Sequence, residues 1–133
     1  MPRGAVGLSQ ARALSRQNTL SKYGNRKVKT EDGTFDSLHE YERWCELKLL
    51  QRAGEIRDLE RQKKFVLIPS QKDDCGKVIE RECYYVADFV YHVIDKDGCW
   101  NTIVEDAKGF RTEVFRIKKK LMLYMQGVVI KEV

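Results

Sequence analysis

The stretch Thr102-Ile103-Val104-Glu105-Asp106-Ala107-Lys108-Gly109 carries an apolar strand pattern directly into an acid and a base. Successive side chains of a strand alternate between its faces, so Asp106 and Lys108 are predicted to point the same way. Burying such charges costs several kcal/mol unless a partner or a metal ion offsets the cost. The stretch therefore predicts either a metal-dependent site or a structural Asp–Lys pair at a strand end.

A second acid interrupts the run Tyr84-Tyr85-Val86-Ala87-Asp88-Phe89-Val90-Tyr91, which is otherwise aromatic, β-branched or small. Such runs are typical of strands that are covered on both faces. The turn-like segment Asp95-Lys96-Asp97-Gly98 separates this run from the first stretch and favours a hairpin or meander. We therefore expect Asp88 and Asp106 to face one another.

Two carboxylates a few ångströms apart repel each other unless a cation lies between them. Hard oxygen ligands of this kind suit Mg²⁺ or Mn²⁺ rather than zinc. A metal ion there can polarise a phosphate and activate water, while Lys108 holds the attacking water or the developing negative charge. The pattern thus points to phosphate chemistry.

At 133 residues, with 42% hydrophobic and 10% aromatic residues, the chain is predicted to form one domain with a modest core. No apolar run approaches the roughly 20 residues that span a bilayer, and no signal peptide is evident. We expect a cytoplasmic protein without a membrane partner. Four cysteines without a C-x-x-C pair are interpreted as free thiols, with a zinc site as the alternative. These are Cys45, Cys75, Cys83 and Cys99.

Positive charge is concentrated near the N-terminus. Residues 1–30 hold seven cations and no acid, net +7, whereas the remaining eighteen cations and twenty acids give −2. We predict a flexible basic arm over residues 1–25 and a single folded domain over 26–133, with a merely solubilising tail as the alternative for the arm. The cations of this region that we expect to bind nucleic acid are Arg16, Lys22, Arg26, Lys27 and Lys29.

The remaining pattern predicts an α/β fold with a mixed central β-sheet flanked by helices. The predicted elements are a hairpin over 26–34, a helix over 37–53 closed by Gly54, a strand within 56–69 followed by a polar connection over 70–76, the two long strands, a helix from Thr112 to Gln126, and a last strand over 128–133.

Glu40 has two possible roles. Ser37-Leu38-His39-Glu40 fits a capping box, in which the acid binds the helix entrance. At 100° per residue, however, Glu40 lies between Trp44 and Leu47 on the edge of the apolar arc. We favour the second interpretation, in which Glu40 looks toward the sheet and joins the site.

Lys118 places a charge on the apolar face of the second helix. It is either a side chain that extends past core residues to solvent or a second cation that contacts phosphate. Lys119 and Arg111 lie close to it in sequence and are further candidates for binding nucleic acid.

An acid on the first helix, an acid on one strand and an acid-x-Lys on the next resemble the PD-(D/E)XK nuclease superfamily. Further segments resemble a small phage-encoded family grouped with Holliday junction resolvases, over roughly residues 22–133. The segments that carry this resemblance are Lys22-Tyr23-Gly24-Asn25, Phe35-Asp36-Ser37, Ala53-Gly54-Glu55-Ile56 with Leu59 and Gln62, Val86-Ala87-Asp88-Phe89, and Glu105-Asp106-Ala107-Lys108-Gly109 with Thr112.

The resemblance implies a restriction-endonuclease-like core in which Glu40, Asp88, Asp106 and the Ala107 carbonyl bind Mg²⁺ or Mn²⁺ and Lys108 assists the hydrolytic water. The proline usual before the first strand acid is replaced by Ala87. Glu105 leaves open which acid binds the metal, and strand alternation favours Asp106.

The implied activity is metal-dependent hydrolysis of DNA that leaves 5′-phosphate and 3′-hydroxyl ends. Two symmetric cuts in a four-way junction require two active sites, so a homodimer is expected. A phage-encoded enzyme would act in the host cell cytoplasm. The alternatives are a flap or single-strand nuclease of the same fold and a non-cleaving phage DNA-binding accessory protein.

Overall fold

The computed structural model describes residues 26–107 and 111–133. The chain divides into two compact units, Met1–Glu46 and Leu47–Val133. The predicted basic arm over residues 1–25, with Arg16 and Lys22, lies outside the described residues, as does Lys108. The prediction that 26–133 forms a single nuclease domain stays a prediction.

The first unit contains the predicted hairpin. Strands β1 (Val28–Thr30) and β2 (Gly33–Phe35) pair antiparallel. The Thr30 hydroxyl closes the turn: it donates to the Gly33 carbonyl at 2.9 Å and accepts from the Asp32 amide at 3.2 Å. Phe35 at the end of β2 is fully buried.

Helix α1 (Leu38–Arg52) begins in the first unit and ends in the second. Ser37 caps its start, since its hydroxyl accepts from the Glu40 amide at 3.1 Å. The rings of Tyr41 and Trp44 contact the buried Phe35 ring, with centroids 5.1 and 6.3 Å away. These bounds agree within a residue with the predicted helix.

The second unit is built on a four-stranded sheet. Its strands lie in the order β3 (Ile56–Ile68), β6 (Cys83–Ile94), β7 (Trp100–Asp106) and β8 (Lys131–Glu132). The first three pair antiparallel, and β8 pairs parallel to β7. The sheet is therefore mixed, as predicted.

Two expectations about the strands were wrong in detail. The polar connection after β3 contains a small hairpin, β4 (Gln71–Lys72) and β5 (Val78–Glu80), because the Asp73 carboxylate accepts from the Cys75 and Lys77 amides and shapes its tip. The last strand is shorter than 128–133, because the Val128 amide is used at the end of the preceding helix, where it donates to the Met122 carbonyl.

Helix α2 (Glu113–Gln126) covers part of this sheet. Thr112 caps it by accepting from the Phe115 amide at 3.0 Å, and Gly127 ends it in a left-handed conformation with φ 67°. Phe115 and Met122 are buried, and they pack with sheet residues into one core cluster. The other buried members are Leu67, Tyr85, Ala87, Val90, Val104 and Ile130.

The α/β class with a mixed sheet and two helices is thus confirmed, and its likeness to restriction endonucleases stays a prediction. All four cysteines are free thiols, as expected. No helix within the described ranges is long and apolar enough to cross a membrane.

Candidate active site at the end of the β6–β7 ladder

Asp88 and Asp106 lie next to each other across the β6–β7 ladder. The ladder ends with Phe89 opposite Glu105. If the same register is continued by one residue, Asp88 of β6 lies opposite Asp106 of β7. The Asp88 Oδ2 accepts from the amide of Ala107, the residue after Asp106, at 2.8 Å. Asp106 is fully buried and Asp88 is 8% exposed. The structure therefore brings together the two sheet acids that the sequence singled out.

Each of these carboxylates accepts a hydrogen bond from a side chain of the sheet. The Tyr85 hydroxyl donates to Asp106 Oδ2 at 2.6 Å, and the Gln62 Nε2 donates to Asp88 Oδ1 at 3.3 Å. Gln62 has a left-handed backbone with φ 53°, which is uncommon for a residue with a side chain and is often found near functional sites. The donors orient both acids.

The pKa of the Tyr85 hydroxyl reflects the burial and the negative charge of the site. This pKa is raised far above the ordinary value of 10.0, first because the group is buried, then because it donates to Asp106. The negative charges of Asp106, Asp88 and Glu132 raise this pKa further. Tyr85 is therefore a protonated donor at neutral pH.

Glu105 points away from this pair. It lies opposite Phe89 in the ladder, is fully buried, and accepts a hydrogen bond from the Tyr91 hydroxyl. Because neighbouring residues of a strand face opposite ways, Glu105 and Asp106 occupy different faces of the sheet. The geometry favours Asp106, rather than Glu105, as the partner of Asp88.

Glu40 belongs to the first unit and is 2% exposed. Its Oε2 accepts from the Asp36 amide at 3.1 Å, while its own amide donates to the Ser37 hydroxyl. These contacts are close to those of a capping box, with Asp36 in place of Ser37 as the amide donor. The helix-entrance role is therefore present, and the metal-binding role of Glu40 stays a prediction.

The donor set of Asp88 and Asp106 fits a hard divalent cation. Mg²⁺ is commonly held by one or two carboxylates together with water and substrate phosphates. Within residues 26–107 and 111–133, no group of three His, Cys, Asp or Glu side chains is arranged to hold a metal ion. Asp88 and Asp106 are the candidate ligands, and metal binding by these two acids and by the Ala107 carbonyl stays a prediction.

Comparison with known proteins adds a family. The family described as "Protein of unknown function (DUF1064)" matches residues 20–130. The chain belongs to the DUF1064 family. The matched range includes Glu40, Asp88, Asp106 and Lys108, and it excludes most of the basic arm. Neither a curated protein nor a solved structure matches the DUF1064 chain.

Two of the cations predicted to bind nucleic acid meet a third acid beside this site. Glu132 lies opposite Asp106 in the parallel β7–β8 ladder. Its carboxylate accepts from Lys119 at 2.7 Å and contacts Arg111 at 2.5 Å. The hydrogen bond from Lys119, with the charges of both cations, lowers the pKa of Glu132. Lys119 and Arg111 are thus held at the sheet edge.

The other predicted cations are distributed over the DUF1064 chain. Lys118 lies 5.7 Å from the centre of the Tyr84 ring and lines a cleft of about 280 Å³ together with Tyr85. Lys118 is therefore near the tyrosine that contacts Asp106. Exposed side chains at the hairpin of the first unit are Arg26, Lys27 and Lys29.

Sequence reasoning assigned no role to four side chains that complete these surroundings. Gln62 was part of the family resemblance only, and the tyrosines were interpreted as strand formers. Strand alternation does put Tyr91 and Glu105 on the same face of the sheet. Phe89 lies opposite Glu105, and Tyr91 is two residues from Phe89 and so shares its face. The four side chains are Gln62, Tyr85, Tyr91 and Glu132.

Proposed function

We propose that this DUF1064 chain is a metal-dependent endonuclease of the PD-(D/E)XK type that cuts branched DNA, and more specifically a Holliday junction resolvase. The observation that carries the proposal is the meeting of Asp88 and Asp106 at the end of the β6–β7 ladder, with the Ala107 amide donating to Asp88. A fold that keeps two acids together in a buried setting must offset their repulsion. A divalent cation does so.

Asp88 and Asp106 would hold Mg²⁺ or Mn²⁺, and Tyr85 and Gln62 fix the orientation of the two carboxylates. When bound, such an ion polarises a phosphate and lowers the pKa of water. The family resemblance adds Glu40 and the Ala107 carbonyl as further ligands. Fixed oxygen ligands matter because the transition state gains charge that a preorganised site stabilises without rearranging.

Lys108 follows Asp106 by two residues in the sequence. We assign it the role of holding the attacking water and the charge that develops on the phosphate. Hydrolysis then leaves a 5′-phosphate and a 3′-hydroxyl, as the superfamily resemblance implies.

DNA binding is assigned to the basic arm and to the cations near α2. Phosphate contacts position a protein on DNA without reading sequence, so recognition is expected to depend on branched shape and to weaken as salt rises. Because a four-way junction has twofold symmetry, the resolvase role calls for a homodimer. A phage-encoded enzyme would work in the host cytoplasm.

The test incubates the protein and Mg²⁺ or Mn²⁺ with synthetic four-way junctions, flaps, linear duplex and single strands. Asp106→Asn and Lys108→Ala are the site variants, and Glu105→Gln is the matched control, because Glu105 is equally buried and lies on the same strand. We expect paired symmetric cuts in the junction by the unaltered protein and by Glu105→Gln, and no cuts by the site variants.

Each other outcome changes the proposal in a defined way. Cutting of flaps or single strands alone would replace junction resolution by the alternative substrate. Cutting of every substrate would indicate a general nuclease. Tight DNA binding without any cutting in either metal would overturn the enzyme proposal and favour a non-cleaving DNA-binding accessory protein.

A further inference from the structure

A cleft beside helix α2 combines strong positive charge with an apolar floor. Its volume is about 350 Å³, at the lower end of the range for small-ligand pockets. The side chains that line it are Arg111, Phe115, Arg116, Lys119, Lys120, Leu123 and Val129. Four of these seven are cations, and no acid is among them.

The four cations fall into two pairs. Arg111 and Lys119 bind Glu132 and are held in place by it. Arg116 and Lys120 are exposed, lie one helical turn apart on the same face of α2, and form no ion pair with any other residue that the structure describes. Arg116 and Lys120 are thus available to an anion that enters the cleft.

The apolar part of the cleft is also exposed. The exposed fractions of Leu123 and Val129 are 53% and 68%, and Phe115, which also lines the cleft, is buried in the core. Phosphates of a paired duplex need only cations, since their bases are stacked inside the helix. An unpaired nucleotide offers both a phosphate and a free base, and apolar or aromatic side chains bind such bases.

The cleft is connected to the acid pair through β8. Glu132, which holds Arg111 and Lys119, lies opposite Asp106 in the parallel ladder. Only the width of one strand pairing, about 4.8 Å, separates neighbouring strands of a sheet. Arg111 and Lys119 of the cleft are therefore separated from the strand that carries Asp106 by one ion pair and one strand pairing.

We propose that this cleft binds an unpaired nucleotide of the DNA substrate, with its phosphate on Arg116 and Lys120 and its base against Leu123 and Val129. The inference rests on the proposed function, since it assumes that DNA is the substrate. It adds a physical basis for selectivity: gaps, flaps and single strands expose unpaired nucleotides, and fully paired DNA does not.

The test measures binding by fluorescence anisotropy in EDTA, where no divalent metal supports cutting. The probes are a fully paired duplex and the same duplex with a gap of a few unpaired thymidines. Leu123→Ser removes the apolar floor, and Tyr124→Ser is its matched control, because Tyr124 is 80% exposed on α2 and does not line the cleft. Arg116→Ala with Lys120→Ala removes the phosphate contacts, and Lys77→Ala with Lys96→Ala is the control for charge.

We expect Leu123→Ser to weaken binding of the gapped probe by at least about fivefold and to leave the duplex nearly unchanged. The double cation variant is expected to weaken the gapped probe by at least about tenfold and to reduce the slope of log affinity against log salt by about 1 to 2. Both control variants should behave like the unaltered protein. Circular dichroism of each variant verifies that the fold is intact.

Equal behaviour of Leu123→Ser and Tyr124→Ser, or equal weakening of both probes by Leu123→Ser, would overturn the inference. The failure of the proposed function has a different signature. If the unaltered protein cuts no DNA while the cleft variants still lose the gapped probe, the nucleotide site stands and the nuclease proposal fails. If cutting is normal and the cleft variants bind both probes normally, only the inference fails.

Discussion

Two acids that are neighbours in the sequence, Glu105 and Asp106, lie in different surroundings on the two faces of β7. Both are fully buried, and each accepts a hydrogen bond from a tyrosine of β6. Across the ladder Glu105 faces the aromatic residue Phe89, whereas Asp106 faces a second acid, Asp88. Burial and a tyrosine donor are therefore common to both positions, and the second carboxylate is what distinguishes Asp106.

This difference indicates which of the two acids is expected to take part in catalysis. A single buried acid can be satisfied by a hydroxyl donor, because hydrogen bonds replace those it loses from water. Two adjacent carboxylates repel each other in a medium of low polarity, and a cation is the simplest group that relieves this repulsion. The proposed function accordingly gives Glu105 a structural role and the Asp88–Asp106 pair a metal-binding role.

The largest expected difference between the two faces concerns cleavage. Asp106→Asn should lower the single-turnover rate on a four-way junction by at least about 10³-fold, because a charged ligand is lost where transition-state charge develops. Glu105→Gln, once folded, should stay within about tenfold of the unaltered protein. Rapid-quench assays in Mg²⁺ measure both rates. Equal loss in the two variants would erase the distinction.

The tyrosines that donate to the two acids, Tyr85 and Tyr91, are expected to have similar effects on stability and different effects on cleavage. Tyr91→Phe and Tyr85→Phe each remove a donor from a buried carboxylate, so each should lower the free energy of unfolding by about 1.5–3 kcal/mol. Only Tyr85→Phe should also change cleavage by the folded protein. Urea unfolding and cleavage assays test this pair. A change of cleavage in Tyr91→Phe as large as that in Tyr85→Phe would contradict the assignment.

The pH dependence follows from the raised pKa of Tyr85. In the unfolded chain this hydroxyl ionises near 10.0, whereas the folded state keeps it protonated to higher pH. The stabilisation is therefore complete below pH 10 and is lost as pH rises above it, by at most about 1.4 kcal/mol per pH unit. Denaturant unfolding between pH 9 and 11 should show this loss in the unaltered protein and a smaller one in Tyr85→Phe. Identical slopes would contradict it.

The smallest expected effect belongs to Gln62, which donates to Asp88 from outside the acid pair. Gln62→Met keeps the length of the side chain and removes the donor, so cleavage should fall several-fold while stability changes little. The loss should be greater at low Mg²⁺ than at saturating Mg²⁺, which separates a positioning effect from a structural one. Rates that do not depend on this substitution at any Mg²⁺ concentration would remove Gln62 from the site.

Much of the fold was accessible from the sequence because its elements carry strong local signals. Thr112 and Gly127 delimit α2, and Ser37 caps α1, as their positions predicted. The β4–β5 hairpin was missed because its strands are two and three residues long and carry no apolar alternation. Its turn depends on one carboxylate, that of Asp73.

The acid pair was also accessible, whereas its partners were not. Alternation and the Asp-Gly turn were enough to set Asp88 near Asp106 and to separate Glu105 from them. Alternation puts Tyr85 and Asp88 on opposite faces of β6, so alternation alone does not predict the contact of Tyr85 with Asp106. The role of Gln62 depends on a left-handed backbone within β3, which no sequence signal marks for a glutamine.

The most direct test of the central claim is a calorimetric titration of Mn²⁺ into the unaltered protein, Asp88→Asn and Glu105→Gln without DNA. We predict saturable binding of Mn²⁺ in the unaltered protein and in Glu105→Gln, and its loss or a weakening of at least about tenfold in Asp88→Asn. Equal binding in all three proteins, or binding that is lost in Glu105→Gln and kept in Asp88→Asn, would contradict the assignment of the metal site to Asp88 and Asp106.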